Sequence, residues 1–375
     1  MSTRAAVVEA PFRISIRDLD DPIPAPGHAV LDVSLSGICG TDKHTFRGES
    51  LQYAGTPHEH AIDYPLICGH ENVGVLAELG DGARFVDQFG DVLEVGARVV
   101  PAANVACGSC WWCRRGEPYF MCERLEDYGN SLTLARAPGL WGGWAERMHL
   151  LPGSTLFRVP DEVPDEVAVL TEPMAVTHGL DEVLAGGNGG GETVVVLGCG
   201  PLGICHVLKA VLLGAGRVFV TDLHQPRLAL AEAIGAEALD LGALSDSTKG
   251  RGTDVVVDCT GVAETFAEAR SLARVGGTVV EPGAFVDVGA SPVNPNVIVT
   301  KSLRVIGVGG EILPAYAQAL ELMASTLDTL PWRQIVSHIL PLERAQEAVG
   351  LSQCPEATKV CLRATEADRA SATVR

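Results

Sequence analysis

Four cysteines within sixteen residues constrain this chain more than any other feature of its sequence. They are Cys107, Cys110, Cys113 and Cys122. Three thiols at steps of three residues, with a fourth beyond a short gap, can surround one tetrahedral ion, and four thiolates leave that ion no open position. The spacing predicts a structural zinc site in a lobe over about residues 104–125. Disulfides are the alternative, and the absence of a recognisable secretory signal disfavours them.

Length and charge narrow the class of protein. A chain of 375 residues is expected to form two domains, and a hydrophobic fraction of 47% indicates packed cores. The formal net charge of −19 disfavours nucleic acid and anionic lipid as partners. No apolar stretch is long enough to span a bilayer. The eleven cysteines are most simply kept as free or metal-bound thiols in a reducing compartment. We therefore expect a cytoplasmic protein with neither nucleic-acid nor membrane partners.

The sequence changes character near residue 166. Before that point, short alternating runs such as 29–36 and 92–100 favour an antiparallel, barrel-like β domain over residues 1–165. From 166 to 309, apolar strands such as Thr193–Leu197 alternate with stretches of helical periodicity. This alternation predicts an α/β domain with a doubly wound parallel sheet.

A glycine motif follows the predicted strand at Thr193–Leu197 and opens a helix. In that context the pattern predicts a dinucleotide site, with the pyrophosphate at the helix N-terminus. Asp222 ends the next strand, where a carboxylate can bind the adenosine ribose and repel a 2′-phosphate, so we expect NAD rather than NADP. Alternatively, Asp222 only caps a turn, and Arg227 either covers the ribose or is a solvated helix residue. The candidate cofactor residues are Gly198, Gly200, Pro201, Leu202, Gly203, Asp222 and Arg227.

A second set of metal-type residues precedes the glycine motif. Cys39, His70 and Glu172 can hold zinc and leave a fourth position for water or substrate. An ion there acts as a Lewis acid on an alcohol. Thr41 is placed to take the alcohol proton, and His44 to pass it to solvent. A histidine beside a glutamate is by itself more often a satisfied polar pair, but its combination with the other two motifs favours a catalytic metal.

These residues together resemble the zinc-dependent medium-chain dehydrogenase/reductase family, which includes alcohol, sorbitol and threonine dehydrogenases. The resemblance covers residues from about 5 to 362. It implies a GroES-like catalytic domain, completed by residues 310–375, and a Rossmann domain, with the active site between them. It also implies two zinc ions per chain, NAD as the cofactor and a small alcohol or ketone as the substrate. The motifs that carry it are 37–42, 69–71, the cysteine lobe, 172–173, the glycine motif and Asp222.

The resemblance also assigns roles to individual residues. Cys39, His70 and Glu172 become ligands of the catalytic zinc. Glu71 becomes a nearby carboxylate that can exchange onto the metal, and which of Glu71 and Glu172 binds at rest is left open. The lobe cysteines hold the structural zinc. The alternative is a metal-free, quinone-reductase-like or non-catalytic relative, but such relatives usually lack both ligand sets that this chain retains.

The substrate pocket is the part that the resemblance predicts least. Insertions at about 45–69, 83–91 and 131–144 depart from the family pattern, and one extra residue separates the last two lobe cysteines. Ala103 stands where ethanol-type enzymes commonly have an aromatic residue. Glu172 is more like the polyol and amino-alcohol branch. The resemblance therefore predicts a secondary, cyclic or polyol-type alcohol.

For two groups of residues in or near these insertions, the sequence leaves two possible roles open. His58 and His60 either bind metal or lie on an exposed loop. The tryptophans either line the substrate pocket or pack structurally; they are Trp111, Trp112, Trp141 and Trp144.

The run 303–308 predicts the last strand of the parallel sheet. An apolar edge strand is a liability unless it is covered or paired. In the family this edge joins that of a second subunit, so the resemblance implies a homodimer or homotetramer.

Overall fold

The computed structural model describes residues 2–49, 51–56, 59–184 and 191–364. The chain divides into two compact units. One contains Met1–Glu172, Ile312–Leu327 and Val336–Arg375, and the other contains Pro173–Glu311 and Asp328–Ile335. In the described part of the chain, no helix combines the length and the apolar character that a membrane span requires.

The elements are numbered in chain order. The strands are β1 Ser2–Ala10, β2 Arg13–Asp20, β3 Ala29–Gly37, β4 Leu51–Gln52, β5 His60–Ala61, β6 Asn72–Leu79, β7 Arg98–Pro101, β8 Asn104–Val105, β9 Glu126–Asp127, β10 Arg147–Leu150, β11 Leu156–Arg158, β12 Thr193–Leu197, β13 Arg217–Thr221, β14 Glu237–Ala238, β15 Thr253–Asp258, β16 Ala273–Glu281, β17 Arg304–Gly307, β18 Val336–Pro341 and β19 Lys359–Arg363. The α-helices are α1 Gly40–Arg47, α2 Asp165–Ala168, α3 Thr171–Ala175, α4 Gly179–Leu184, α5 Pro201–Leu212, α6 Gln225–Ile234, α7 Leu241–Ser247, α8 Ala263–Leu272, α9 Pro295–Lys301, α10 Leu313–Thr326, α11 Trp332–Ile335 and α12 Ala345–Leu351.

The first unit is built around a mainly antiparallel sheet. Its strand order is β11-β7-β6-β3-β19-β18, with β10 also paired to β3. β19 comes from the end of the chain and pairs with β3 from its beginning. The C-terminal segment therefore completes the sheet of the first unit.

Two features predicted for the first domain, the extent of a strand and the domain boundary, differ from the structure. Only the end of the run 92–100 is a strand, because Gly96 adopts a left-handed conformation (φ +94°) that interrupts the extended backbone. Asp328–Ile335, which we expected with the first domain, belongs to the second unit. Within it, α11 buries Trp332 and Ile335 completely, which explains why this short segment is an ordered helix rather than a loop.

The second unit contains a parallel sheet with the strand order β14-β13-β12-β15-β16-β17. The order reverses between β12 and β15, and in such sheets dinucleotides bind at the carboxyl ends of the strands beside that point. Val195, Phe219 and Val256 from three of these strands are fully buried in one apolar cluster with α8. The predicted doubly wound parallel sheet is confirmed.

The tryptophans and histidines of the insertions have different environments. Trp141 and Trp144 are fully buried in the core of the first unit, and the Trp141 Nε1 donates a hydrogen bond to the Arg136 carbonyl at 2.9 Å. For these two, structural packing is the correct interpretation. Trp111 is exposed and lies edge-on against Trp112 in the cysteine lobe.

Of the two histidines, His60 is in β5, half-buried and stacked on Tyr53 with ring centroids 5.9 Å apart. His58 lies outside the described residues.

Candidate active site

Among the described residues, two groups of side chains are arranged to hold a metal ion. The four sulfur atoms of the cysteine lobe all lie within 4.8 Å of one another, and all four thiols are free. A tetrahedral zinc with Zn–S bonds of about 2.3 Å requires sulfur atoms about 3.8 Å apart. The lobe therefore fits a structural zinc, and the disulfide alternative does not describe it.

The lobe absorbs its extra residue through tight local turns. Short 3₁₀ turns at Cys113–Arg115 and Tyr119–Met121 separate the last two cysteines, and Gly116 takes a left-handed conformation between them (φ +73°). The backbone amide of Cys107 also donates to the Cys122 sulfur at 3.2 Å. The extra residue between the last two cysteines is thus accommodated while the four sulfurs remain together.

Arg124 supports the lobe, and the sequence analysis did not identify it. Its Nη2 lies 3.4 Å from the Cys107 sulfur and 2.6 Å from the Ser109 hydroxyl. The backbone amide of Ser109 and the guanidinium of Arg124 lower the pKa of Cys107 to about 5, against the opposing effect of desolvation. A thiolate is the form that binds zinc, so both contacts favour the metal-bound lobe. The only sequence signal was a basic residue two positions after the last cysteine.

The second metal-type group contains Cys39, His70 and Glu71, whose ligand atoms lie within 4.8 Å of one another. Cys39 is the N-cap of α1, so its sulfur faces the positive end of the helix dipole and accepts from the backbone of Asp42. A helix N-terminus stabilises a thiolate. One thiolate, one imidazole and a carboxylate fit a zinc ion that keeps an open position.

Asp42 links the two segments that carry these ligands, and the sequence analysis missed its role. Its fully buried carboxylate accepts from the Cys39 amide at 2.7 Å and from the Gly69 amide at 3.2 Å. It also lies 3.9 Å from the His70 Nδ1. Carboxylates behind a metal-ligating histidine commonly fix its ring orientation. Burial raises the pKa of Asp42, and the His70 imidazole opposes that shift.

The electrostatics of this group favour a cation. Burial alone would lower the pKa of His70, but the anionic forms of Cys39, Asp42 and Glu172 raise it well above its ordinary value. Glu172 is buried and close enough to act on His70. It lies outside the three-residue group in which the ligand atoms are all within 4.8 Å. The structure therefore brings Glu71 into the tight group and leaves Glu172 at its border.

Lys359 is a further residue that the sequence analysis missed. Its ammonium group forms an ion pair with Glu71. Burial opposes its charge, but the Glu71 carboxylate and the Cys39 thiolate raise the pKa of Lys359 above its ordinary value. Lys359 opens β19, and Glu71 immediately precedes β6. A buried cation thus stands directly behind the candidate metal ligands.

The two residues of the predicted proton relay lie on α1. The Thr41 hydroxyl is 4.0 Å from the Cys39 sulfur, and His44 lies three residues further along the helix, so both share one helix face. The His44 Nδ1 is 3.2 Å from the Arg47 guanidinium and 3.3 Å from the Glu49 carboxylate. Burial and then Arg47 lower the pKa of His44. Its imidazole is therefore held in the neutral, basic form over the neutral pH range.

The glycine motif has the geometry that a dinucleotide site requires. Gly198 has a left-handed backbone (φ +84°) at the end of β12, and α5 begins at Pro201. A Cβ atom at Gly203 would overlap the Gly198 carbonyl oxygen, so helix and strand pack this closely only with glycine. Leu202, in the first turn of α5, shares the helix N-terminus with Pro201. These features leave backbone amides facing the position of a pyrophosphate.

Asp222 makes contacts that fit both of its possible roles. One carboxylate oxygen accepts from the Cys199 amide at 2.6 Å, inside the glycine motif, and the other accepts from the His224 amide at 2.8 Å. Each oxygen retains one lone pair for a ribose hydroxyl. Arg227 is close enough to the motif to lower the pKa of Cys199, which burial raises to about 12.

Ala103 lies in a tightly packed part of the first unit. Its amide donates to the Tyr316 hydroxyl at 3.0 Å, and its carbonyl accepts from the Tyr128 amide at 3.0 Å. The Tyr316 ring stacks on Phe157 with centroids 4.8 Å apart. The part that Ala103 plays in the substrate pocket stays a prediction.

The chain matches two protein-family models. Residues 25–161 match the alcohol dehydrogenase GroES-like domain, and residues 201–325 match the zinc-binding dehydrogenase domain. A probable alcohol dehydrogenase of Mycobacterium tuberculosis is 37% identical over 92% of this chain and 93% of that protein. The chain belongs to the zinc-type medium-chain alcohol dehydrogenase family. The predicted GroES-like and Rossmann architecture is thereby confirmed, and the protein is an oxidoreductase of this type.

Other relatives extend the comparison. The 5-exo-hydroxycamphor dehydrogenase of Pseudomonas putida is 29% identical over 93% of this chain and 95% of that protein. An alcohol dehydrogenase of Thermotoga maritima has a similar structure, with a TM-score of 0.86 and 26% identity over 97% of this chain and 99% of that one. A Sinorhizobium meliloti protein solved with NADP bound gives a TM-score of 0.80 and 28% identity over 97% of this chain and 99% of that one.

Proposed function

We propose that this protein uses zinc and NAD to oxidise a secondary, cyclic or polyol-type alcohol, reversibly, to the ketone or aldehyde. The observation that carries the proposal is the pair of ligand groups in one chain: a closed set of four thiols, and an open set centred on Cys39 and His70. A metal-free relative would not require either of these two ligand groups. The small Ala103 and the relative named for hydroxycamphor, a cyclic alcohol, support a substrate bulkier than ethanol.

Each residue in or beside the open set has a separate role in the proposed reaction. A zinc ion held there would supply a Lewis acid for the oxygen of the alcohol. Cys39 contributes a thiolate stabilised by the N-terminus of α1, and Asp42 fixes the orientation of His70. Thr41 accepts the hydroxyl proton of the alcohol, and His44 passes it towards solvent. NAD held at the glycine motif, with Asp222 at its ribose, would supply the acceptor for the hydride of the alcohol.

A panel of alcohols tests the proposal. Wild-type protein is assayed with NAD for NADH absorbance on ethanol, secondary alkanols, cyclic alcohols and polyols. We expect turnover on at least one of the last three groups at a higher kcat/KM than on ethanol. Preference for ethanol would contradict the proposed substrate class, and no turnover on any alcohol would contradict the proposed activity.

Asp222 is expected to set the cofactor preference. Asp222→Ala should weaken NAD binding by about 1–3 kcal/mol, since it removes charge-assisted hydrogen bonds to the ribose, and should make NADP more acceptable because a repelling charge is lost. Steady-state kinetics with both cofactors measure this change. Asp246→Ala removes an exposed carboxylate of the same unit and is the matched control. Faster wild-type turnover with NADP than with NAD would show that the role given to Asp222 is wrong.

The proton relay predicts a particular pH dependence. Because its pKa is lowered, His44 remains a neutral base below its ordinary pKa. His44→Gln should therefore slow alcohol oxidation at low pH more than at high pH, where hydroxide replaces the missing base. Thr41→Ala should be slower at every pH, since it removes the hydroxyl that accepts the alcohol proton. The measurement is the pH profile of kcat; an unchanged profile for His44→Gln would mean that His44 takes no part.

The edge of the parallel sheet predicts self-association. β17 is the last strand of this sheet. The side chain of Val305, on β17, is 42% exposed, and that of Val299, on α9, is 73% exposed. An exposed apolar strand edge is normally paired or covered. We expect light scattering to show a dimer or a tetramer at micromolar concentration, and Val305→Asp to shift the protein towards monomer. A stable wild-type monomer would refute this expectation.

A further inference from the structure

One carboxylate oxygen of Glu281, the last residue of β16, is buried without a hydrogen bond. The Oε1 atom accepts from the backbone amides of Gly283 and Ala284, at 3.1 and 3.2 Å, and so closes the turn that follows the strand. The Oε2 atom has no hydrogen-bond partner among the described residues. A buried oxygen of this kind costs free energy, which indicates a functional role more than a contribution to the fold.

A second carboxylate makes the charge of Glu281 still less favourable. Asp258 ends β15, so the two acids stand at the ends of adjacent parallel strands. Burial, and then the charge of Asp258, raise the pKa of Glu281 to about 7. The Asp258 carboxylate itself accepts from the hydroxyls of Thr260 and Thr265, both at 2.7 Å. Of the two acids, Glu281 is therefore the one whose charge the described residues leave uncompensated.

Three loops at the carboxyl edge of the parallel sheet are in close contact, and they lead from the glycine motif to Glu281. A Cβ atom at Gly198 would lie 3.4 Å from the Thr260 backbone nitrogen. A Cβ atom at Gly283 would lie 3.0 Å from the Gly261 backbone nitrogen. The loops that follow β12, β15 and β16 thus form one continuous surface.

The strand order determines which half of a dinucleotide meets this surface. Asp222 follows β13, on one side of β12, whereas β15 and β16 lie on the other side. With the adenosine ribose at Asp222 and the pyrophosphate at the glycine motif, the nicotinamide half would extend over the loops after β15 and β16. Neighbouring strands are about 4.8 Å apart, so β16 is about 10 Å from β12. Glu281 is therefore on the nicotinamide side of the cofactor site.

We propose that the Glu281 carboxylate distinguishes the two redox forms of the cofactor, favouring NAD, whose nicotinamide ring is cationic, over NADH, whose ring is neutral. A fixed anion near the ring attracts the cationic form and has no such interaction with the neutral one. Tighter binding of NAD relative to NADH favours the two cofactor steps of alcohol oxidation, which are NAD binding and NADH release. The inference rests on the proposed function, because it requires that this unit binds NAD.

Replacement of Glu281 with glutamine tests the inference by binding alone. Glutamine keeps an oxygen for the amides of Gly283 and Ala284 and removes the charge. At mildly alkaline pH, where the carboxylate is ionised, Glu281→Gln should weaken NAD binding by about tenfold, the order expected for one charge pair in a partly hydrated site. NADH binding should stay nearly unchanged. Calorimetry measures the dissociation constant of NAD, and nicotinamide fluorescence measures that of NADH.

Two further variants separate the charge from the structure. Glu232→Gln removes an exposed carboxylate of the same unit and should change neither dissociation constant. Glu281→Met also removes the two hydrogen bonds that close the turn, and should shift the ratio of the two dissociation constants as Glu281→Gln does. An unaltered ratio in Glu281→Gln would overturn the proposal, and weaker binding of both cofactors by Glu281→Met alone would show that Glu281 is merely structural. Wild-type protein that binds neither NAD nor NADH would contradict the proposed function itself, and the inference with it.

Thermal unfolding without cofactor supplies a second arm. A carboxyl group whose pKa is raised in the folded state destabilises that state once it is ionised. At the same mildly alkaline pH, Glu281→Gln should therefore unfold at a higher temperature than wild type, whereas Glu232→Gln should unfold with wild type. Such a gain in stability with a loss of binding is expected for a functional group. A lower unfolding temperature for Glu281→Gln would mean that the ionised carboxylate supports the fold, and would contradict the inference.

Discussion

Replacing Cys39 with serine or His70 with alanine is expected to abolish alcohol oxidation and leave a folded chain that holds one zinc. Removing a ligand of an open site takes away the Lewis acid, which contributes several kcal/mol to transition-state stabilisation, or about a thousandfold or more in rate. The fold should survive because β3, β6 and β19 pair without the metal. NADH formation, zinc content and circular dichroism measure the three outcomes.

The control for these variants is Cys354→Ser, which changes a cysteine that forms no disulfide and lies outside both ligand groups. It should keep its activity and both zinc ions. If the Cys39 and His70 variants instead lose their fold as fully as a variant of the cysteine lobe does, the division into a catalytic and a structural site is wrong.

Replacing Cys110 with serine is expected to lower the stability of the protein, whereas the Cys39 and His70 variants are expected to lose activity. The closed site holds together a lobe that has only short strands and 3₁₀ turns of its own. Zinc binding by such sites contributes on the order of 10 kcal/mol to folding, so losing one ligand should lower the stability of the lobe by at least about 3 kcal/mol. Thermal unfolding together with zinc content checks this expectation, and light scattering reports any loss of assembly.

A graded variant of the same lobe sharpens the comparison. Arg124→Ala removes one contact to the Cys107 sulfur but no ligand of the zinc. It should therefore lower the stability of the lobe less than Cys110→Ser does, and the Arg124→Ala protein should keep both zinc ions. Equal effects from the two substitutions would mean that the lobe is stabilised by packing more than by its metal.

The sequence predicts those parts of the fold in which local pattern and final structure agree. β12, the glycine motif and α5 follow one another within the range 193–212, and their apolar periodicity and glycine positions are visible directly. The cysteine lobe is likewise local, because its four sulfurs come from one short segment. Such features are recognised because the residues that meet in space are also close in the chain.

The supporting residues of the catalytic group were missed for the opposite reason. Lys359 contacts Ile38 across 321 positions of sequence, and its pairing with Glu71 depends on β19 lying beside β3. A lone lysine near the end of a chain carries no sign of such a partner. Asp42 was within a recognised motif, but its contact with Gly69 appears only when α1 and the segment before β6 are brought together.

The two boundaries that differed from expectation have different physical causes, one local and one dependent on the folded chain. The apolar alternation of 92–100 suggested one strand, yet the left-handed Gly96 ends the extended conformation. Asp328–Ile335 is short and shows no clear periodicity, and its membership of the second unit depends on the burial of Trp332 and Ile335. Burial of this kind is a property of the folded chain and not of the segment.

Zinc content and alcohol-dependent NADH formation, measured on the same wild-type sample before and after mild chelation, test the central claim most directly. We predict about two zinc ions per chain at the start, one from the closed set of thiols and one from the open set. Chelation should remove the zinc of the open set first, activity should fall in proportion, and added zinc should restore both. Undiminished alcohol oxidation by a chain free of zinc would contradict the account.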